Sequence, residues 1–511
     1  MALSYLARLQ GAGMAVAQGS CPGCGSPMEF RAGSSISTVC QYCNTTVRRS
    51  DRGIENLGKQ ADLVDTPTIV AVMDRGVVAG KSFTVLGRVQ LAHDMGGVWD
   101  EWYLGYDDGT WGWLAYAQGN YYVTWKTEPA TRLPDPRNLQ IESLVTLQPG
   151  AFRVAEIKSA KIASSEGELP FVPASGTVRY YADLLGPSSY FATIDWGNGS
   201  SPPELFVGYQ VAESQLKITE QSERPRKEIK LEGLNCPNCG APLRFRAGNR
   251  TERIACEHCS AISDSLSQKV IVAQQKAREN PRIPLGSHGM FQGADFTVIG
   301  FVVRSSEIDG ETFSWHEYLL FAQGVGFRWL VDDEGVWRFV CQQNMADLDL
   351  SGFPSSIRQK GRTFRLRNSN VARVVFVLGE FYWKVQVGER VQCSDYEYGS
   401  ELISREAMNS EVSWSYSQPV AFSVIAAAFG LPASAHYAQP SAGPSGAGAR
   451  FTPLPSADSS SSMSVNIIIA LVVILVLVLF TCGTCAGACG GSSGGGSVRG
   501  GGTPGGWSGG K

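Results

Sequence analysis

The chain contains the pair of knuckles Cys21-Pro-Gly-Cys24 and Cys40-Gln-Tyr-Cys43, separated by fifteen residues, and repeats the pattern as Cys236-Pro-Asn-Cys239 and Cys256-Glu-His-Cys259, separated by sixteen. Nothing else limits the fold as tightly. Two C-x2-C knuckles at this separation bring four thiolates to the corners of a tetrahedron, the geometry of a closed structural zinc site. The spacing predicts two zinc ribbons and two Zn2+ ions, one held by Cys21, Cys24, Cys40 and Cys43, the other by Cys236, Cys239, Cys256 and Cys259. The interiors repeat as well: Pro27-Met-Glu-Phe-Arg-Ala-Gly33 answers Pro242-Leu-Arg-Phe-Arg-Ala-Gly248.

Disulfide-stapled knobs would use the same cysteines but require an oxidising compartment. Residues 1–20 hold Arg8 and the weakly apolar Gly11-Ala-Gly-Met-Ala-Val-Ala17, without the solid apolar core of a signal peptide. They are read as an N-terminal extension, with Met14 as an alternative start.

The duplication extends beyond the ribbons. Phe83-Thr-Val-Leu-Gly87 returns as Phe296-Thr-Val-Ile-Gly300, Trp99-Asp-Glu-Trp-Tyr103 as Trp315-His-Glu-Tyr-Leu319, and Trp113-Leu114 as Trp329-Leu330, all offset by 213 to 216 residues. These runs are β-branched or aromatic and are punctuated by turn residues such as Asp107-Asp-Gly109, so they read as short strands joined by hairpins. With 58 glycines and only 18% charged residues, the composition also favours strands and turns over helical bundles. The expected fold class is mainly β: two tandem units, each a zinc ribbon followed by a small antiparallel β-barrel or sandwich, then a C-terminal transmembrane helix. Eight or so short strands per unit must close or pair their edges.

The boundaries follow from these shifts: ribbon one at 21–50, β-module one at 67–218, a polar linker at 219–235, ribbon two at 236–265 and β-module two at 283–418. Residues 51–66 read as a short helix or connector, and 268–280 as a helix. Residues 419–462 have the Pro, Ala, Gly and Ser content of a tether. Met463 to Cys482 forms a twenty-residue apolar run that meets the length of a membrane span, and a Gly/Ser-rich tail occupies 483–511. Arg450 and Arg499 nearly cancel under the positive-inside rule, so orientation rests on the reduced thiolates. These place the bulk of the chain in the cytoplasm and Cys482, Cys485 and Cys489 at the outer edge.

The ribbon, the Phe-Thr-Val-hydrophobic-Gly strand, the Trp-x-Glu strand and the Trp-Leu pair together resemble the bacterial family carrying the domain of unknown function 4178, in two tandem copies. The resemblance implies an envelope or polyamine-related setting and supplies no catalytic residues. Unit two lacks the Glu166-Gly-Glu-Leu-Pro-Phe171 element of unit one, so equal roles for the two copies do not follow.

Tests for catalytic chemistry return little. Gly76-Val-Val-Ala-Gly80-Lys81-Ser82 is one residue short of a phosphate loop and runs into a strand where a helix N-terminus is needed. The histidines, His93, His258, His288, His316 and His436, are scattered. Glu101 and Glu317 sit at matching places between aromatics, with two readings open: an enclosed carboxylate acting as an acid or binding a cation, or a side chain pointing outward or satisfying a backbone amide. Cys341 and Cys393 read as small core residues. The basic stretch Arg224, Arg226, Lys227, Lys230, Arg244, Arg246, Arg250 and Arg253 is interleaved with glutamates. This weakens the alternative of a single-stranded nucleic-acid binder. The chain is therefore expected to be a non-catalytic, membrane-anchored binding or scaffold protein with an unspecified protein or small-molecule ligand, and nucleic acid is an unlikely partner.

Overall fold

Alternating aromatic and β-branched residues drive almost the entire fold. The computed structural model describes residues 17–432, apart from 51–52, 64–65, 67, 93–97, 118–119, 200–201, 224–233, 266 and 309. In the first unit eight strands form the wall of a barrel: β1 (Lys81–Ala92), β2 (Val98–Tyr106), β3 (Trp111–Ala117), β4 (Asn120–Thr127), β5 (Gly150–Leu169), β6 (Val178–Leu185), β7 (Tyr190–Gly197) and β8 (Glu204–Val211). Every neighbour is antiparallel in the order β1-β2-β3-β4-β8-β7-β6-β5, and β5 returns to β1 through pairs such as Ile162 with Leu91 and Gly167 with Gly87. That last pairing closes the ring and excludes the sandwich.

The second unit repeats the circuit with β9 (Ala294–Ile308), β10 (Glu311–Ala322), β11 (Gly326–Asp333), β12 (Val336–Gln342), β13 (Arg362–Phe381), β14 (Arg390–Tyr398), β15 (Glu401–Ala407) and β16 (Val412–Pro419). Here β13 closes on β9. Closure removes the open edges that short aromatic strands would otherwise expose.

Each barrel has apolar packing on its outer face, supplied by flanking chain. Val70, Val72 and Leu216 cover Phe83, Val85, Trp102 and Leu104, while Leu133, Leu139 and Leu147 cover Phe152, Leu184 and Ile194. In the second unit this cover includes α1 (Phe422–Ala428), whose Phe422, Ile425 and Ala426 are buried with Phe429 against Phe296, Trp337 and Phe339. The module thus continues into the stretch that composition assigns to the tether, because the spacing of these apolar residues gives α1 one buried face. Among the described residues no helix is long and apolar enough to cross a membrane; the expected span at 463–482 lies outside the described residues, as do the remaining tether and the tail.

Two other expectations change. Residues 53–59 form a strand, Gly53–Lys59, paired with Thr45–Ser50, so the connector extends the ribbon sheet. Residues 268–280 contain the strand Val270–Val272. Gln275 is buried there and its amide bridges two elements: Nε2 donates to the Ser260 and Val377 carbonyls at 2.7 Å, and Oε1 accepts from Val377 N at 2.9 Å. Pairing of Val270–Val272 with the ribbon strand Ile262–Asp264, and of Gln275 with the barrel wall, overrides the local helical pattern.

Candidate functional site

The two cysteine quartets are assembled by four equivalent tight turns. At each knuckle the first cysteine's amide donates to a carbonyl five residues on, and its own carbonyl accepts from the amide four residues on: Cys21 with Ser26 and Gly25, Cys40 with Thr45 and Asn44, Cys236 with Ala241 and Gly240, Cys256 with Ala261 and Ser260. The residue after the second cysteine is left-handed in all four, with φ of 77° at Gly25, 56° at Asn44, 74° at Gly240 and 60° at Ser260. Gly and Asn suit that conformation, and only Ser260 departs from the preference.

The turns leave Cys21 Sγ 3.6 Å from Cys43 Sγ and Cys24 Sγ 3.7 Å from Cys40 Sγ. The second quartet gives 3.8 Å for Cys236 with Cys259 and 3.9 Å for Cys239 with Cys256. All ligand atoms of a quartet lie within 4.8 Å of one another. Four sulfurs bonded at about 2.3 Å to one ion would be about 3.8 Å apart, whereas a disulfide needs about 2.05 Å. Each quartet is therefore shaped to hold a metal ion. His258 is exposed and outside the group.

Each ribbon is joined to its barrel in two ways. Ser37–Val39 pairs with the end of β5, and Arg253–Ala255 with the end of β13. Beside each pairing a buried carboxylate holds the Arg-Ala-Gly loop of the ribbon. Glu168 accepts from Arg31 N at 2.8 Å, Ala32 N at 3.2 Å and Ser35 Oγ at 2.6 Å. Glu380 accepts from Arg246 N at 2.6 Å, Ala247 N at 3.0 Å and Thr251 Oγ1 at 2.7 Å. This corrects the sequence comparison: Leu378-Gly379-Glu380-Phe381 stands in unit two where Glu166-Gly167-Glu168-Leu169 stands in unit one. Short motif strings hide the equivalence, but the left-handed glycine before each carboxylate, φ 71° at Gly167 and 84° at Gly379, reveals it.

The barrel interiors carry the second constellation. Strand alternation turns Glu101 and Glu317 inward. In β2, Trp99, Glu101 and Tyr103 share the face that meets Trp113, Ile162 and Tyr181, while Trp102 and Leu104 face the outer cover. Trp99 Nε1 donates to Glu101 Oε1 at 3.2 Å, and Trp315 Nε1 donates to Glu317 Oε1 at 2.7 Å. Matching registers identify two further acid pairs that short motifs do not show. Asp183 faces Glu156 as Asp395 faces Asn368, and Asp195 faces Tyr181 as Glu406 faces Cys393.

The electrostatics of the two interiors differ. In barrel two Arg304 stands 3.2 Å from both Glu317 Oε2 and Glu406 Oε2. Burial pushes the Glu317 carboxyl up and the guanidinium pulls it back. At the equivalent register position barrel one has Leu91, opposite Trp99 and Ile162 as Arg304 is opposite Trp315 and Val374. Asp195 pairs instead with Arg179. Burial then pushes Glu101 up to about 7, opposed by the Trp99 bond. Burial also holds Asp183 well above the carboxylate range, with Glu156 and Glu101 adding repulsion.

The remaining sequence candidates resolve into structure. Residues 76–82 form a hairpin between Arg75–Val78 and β1, with Ala79 and Gly80 left-handed and Lys81 Nζ 2.8 Å from Asp108. The His316 ring lies on Phe301, centroids 5.4 Å apart; His93 and His436 are outside the described residues. Burial raises the Cys341 and Cys393 thiols. Arg246 pairs with Glu257 at 2.8 Å, Arg253 with Asp264 at 2.7 Å and Arg250 with Glu213; Arg224, Arg226, Lys227 and Lys230 are outside the described residues.

Fold and cysteine quartets define a tandem ribbon-barrel protein, each four-cysteine ribbon fixed to an eight-stranded barrel. The chain belongs to the family described as Domain of unknown function (DUF4178), whose profile matches residues 72–213 and 284–422, more than half of the chain. The matches cover the barrels and begin after each ribbon. No curated protein matches. Among solved structures, the vaccine antigen Transferrin Binding Protein B, a double mutant from Haemophilus parasuis Hp5, aligns over 75% of this chain and 84% of its own at 8% identity. Its TM-score of 0.12 carries no argument.

Proposed function

We propose that this protein is a membrane-tethered binding or scaffold protein whose two zinc ions are structural and which performs no catalysis of its own. The supporting observation is the use made of each quartet: all four sulfurs converge on one point, and the ribbon they form is bonded into the barrel wall by strand pairing and by a buried carboxylate. Closed four-thiolate sites contribute folding energy and a rigid surface, with no open position for a substrate. Arg246, Arg250 and Arg253 of the basic stretch are each paired with an acid within the chain, which favours a protein or small-molecule ligand over single-stranded nucleic acid. The apolar run at 463–482 supplies the anchor, with the bulk of the chain on the cytoplasmic side, in an envelope or polyamine-related setting.

Affinity recovery of the detergent-solubilised full chain, with partners identified by mass spectrometry, tests the reading. A dominant protein partner supports it, and recovered RNA with salt-steep binding overturns it. For the anchor, full-length protein sediments with membranes and a tag after Lys511 is cleaved from outside. Full-length protein in the soluble fraction removes the anchor, and a protected tag reverses the topology.

A further inference from the structure

The duplicated barrels act as internal controls for each other. They share three inward carboxylates in matching registers, Glu101 with Glu317, Asp183 with Asp395 and Asp195 with Glu406. In barrel two the cation for this arrangement is part of the chain: Arg304 lies between Glu317 and Glu406 at 3.2 Å from each. In barrel one Leu91 takes that place; Arg179 pairs with Asp195, and Lys158, opposite Tyr181, pairs with Glu156 and Glu411. Among the described residues no cationic group lies within ion-pair distance of Glu101 or Asp183. Both side chains are surrounded by the barrel wall yet keep partial solvent access, as do Tyr122 and Tyr181 around them. A carboxyl group so enclosed either keeps its proton or takes a counter-charge, and a cationic ligand supplies the latter.

We propose that the interior of the first barrel binds a small organic cation bearing N–H donors, an alkylguanidinium or primary alkylammonium head, on Glu101 and Asp183, supplying to Glu101 the charge that Arg304 supplies to Glu317 in the second barrel. The aromatic lining suits such a ligand, because Trp99, Tyr122 and Tyr181 supply apolar surface for its alkyl part. Trp99 already fixes one oxygen of Glu101, 3.2 Å from its indole nitrogen, leaving the other oxygen to accept from the ligand. Asp183 is held similarly by Thr193 Oγ1 at 2.7 Å. The second barrel binds no such ligand, since its own arginine occupies Glu317, the counterpart of Glu101.

This inference names a ligand class for the binding reading above and rests on it. The test is calorimetric titration of the full-length chain in detergent with methylguanidinium and with n-butylammonium at about pH 8, where Glu101 is ionised. Expected is one saturable site per chain with a dissociation constant below about 10 mM. Glu101→Gln, which preserves shape, weakens it at least about tenfold. Leu91→Arg, which installs the second barrel's cation, abolishes it, and Arg304→Leu raises the stoichiometry to two. Absence of saturable binding by either probe, or binding unchanged by Glu101→Gln, overturns the proposal. A protein partner recovered by affinity in that event leaves the broader binding reading in place and removes only this ligand.

Discussion

Glu101 shows how one side chain sets a measurable property of the whole barrel. Its folded-state pKa of about 7 lies above the ordinary carboxylate value near 4.3, so between about pH 4.5 and 7 the folded chain retains a proton that the unfolded chain has released. Stability contributed by this group is present at the acidic end of the window and falls as pH rises through it. Denaturation midpoints of Glu101→Gln minus wild type will therefore increase from about pH 5 to about pH 8; a constant difference would contradict the enclosed carboxylate. Glu168 acts differently, as a fixed acceptor. Glu168→Ala strands two backbone donors and the Ser35 hydroxyl, and costs about 3 kcal/mol. Hydrogen exchange will accelerate at Ala32 and stay unchanged at Ala247, and equal acceleration at both would show that the carboxylate is not a local latch. The sequence placed Glu101 and Glu317 in register because a tryptophan stands two residues before each. It gave no sign of Asp183 or Asp195, because an inward acid is distinguished from an outward one only by barrel closure.

At the scale of elements, barrel closure beside each ribbon sets glycine against glycine, Gly87 with Gly167 and Gly300 with Gly379. A Cβ on Gly87 would lie 1.8 Å from the Glu168 carbonyl oxygen, and one on Gly300 would lie 2.6 Å from that of Glu380. Backbone cannot yield there as a flexible side chain would. Gly87→Ala is expected to cost about 3 kcal/mol or more and Gly300→Ala less, measured by urea unfolding; the reverse order would contradict the closer approach in unit one. Cys239→Ser will release the second ribbon's ion while the first stays loaded, since no ligand is shared. The knuckles were legible because four ligands within a short span leave one solution, and the hairpins because Asp-Gly turns and aromatic alternation agree. The 268–280 segment was misread as a helix because its local pattern does not reveal that the Gln275 amide pairs with Val377 of the barrel wall. The buried face of α1 was hidden within a stretch whose composition resembles a tether.

At the scale of the molecule, both repeats lie in one compact unit and touch each other. Glu142 of the first unit accepts from Arg405 Nε at 2.8 Å, Arg405 Nη2 at 2.7 Å and Trp414 Nε1 at 3.0 Å in the second. Ile157 N donates to Ser410 O at 2.9 Å, Lys158 pairs with Glu411, and Ile141, Ala155 and Leu185 pack against Met345, Ile403 and Trp414. Sequence alone could not join residues this far apart, and internal repetition does not reveal whether copies touch. Glu142→Ala leaves the Arg405 guanidinium without its bidentate partner, and unfolding should divide into two transitions; a single transition at unchanged midpoint would mean that the contact does not couple the units. The central claim, two closed zinc ribbons built into two barrels, is tested most directly by metal analysis of the reduced, purified full chain combined with X-ray absorption at the zinc edge. Two zinc ions per chain are expected, each bound by four sulfurs at about 2.3 Å, whereas one zinc or fewer, or nitrogen or oxygen in the first shell, would contradict it.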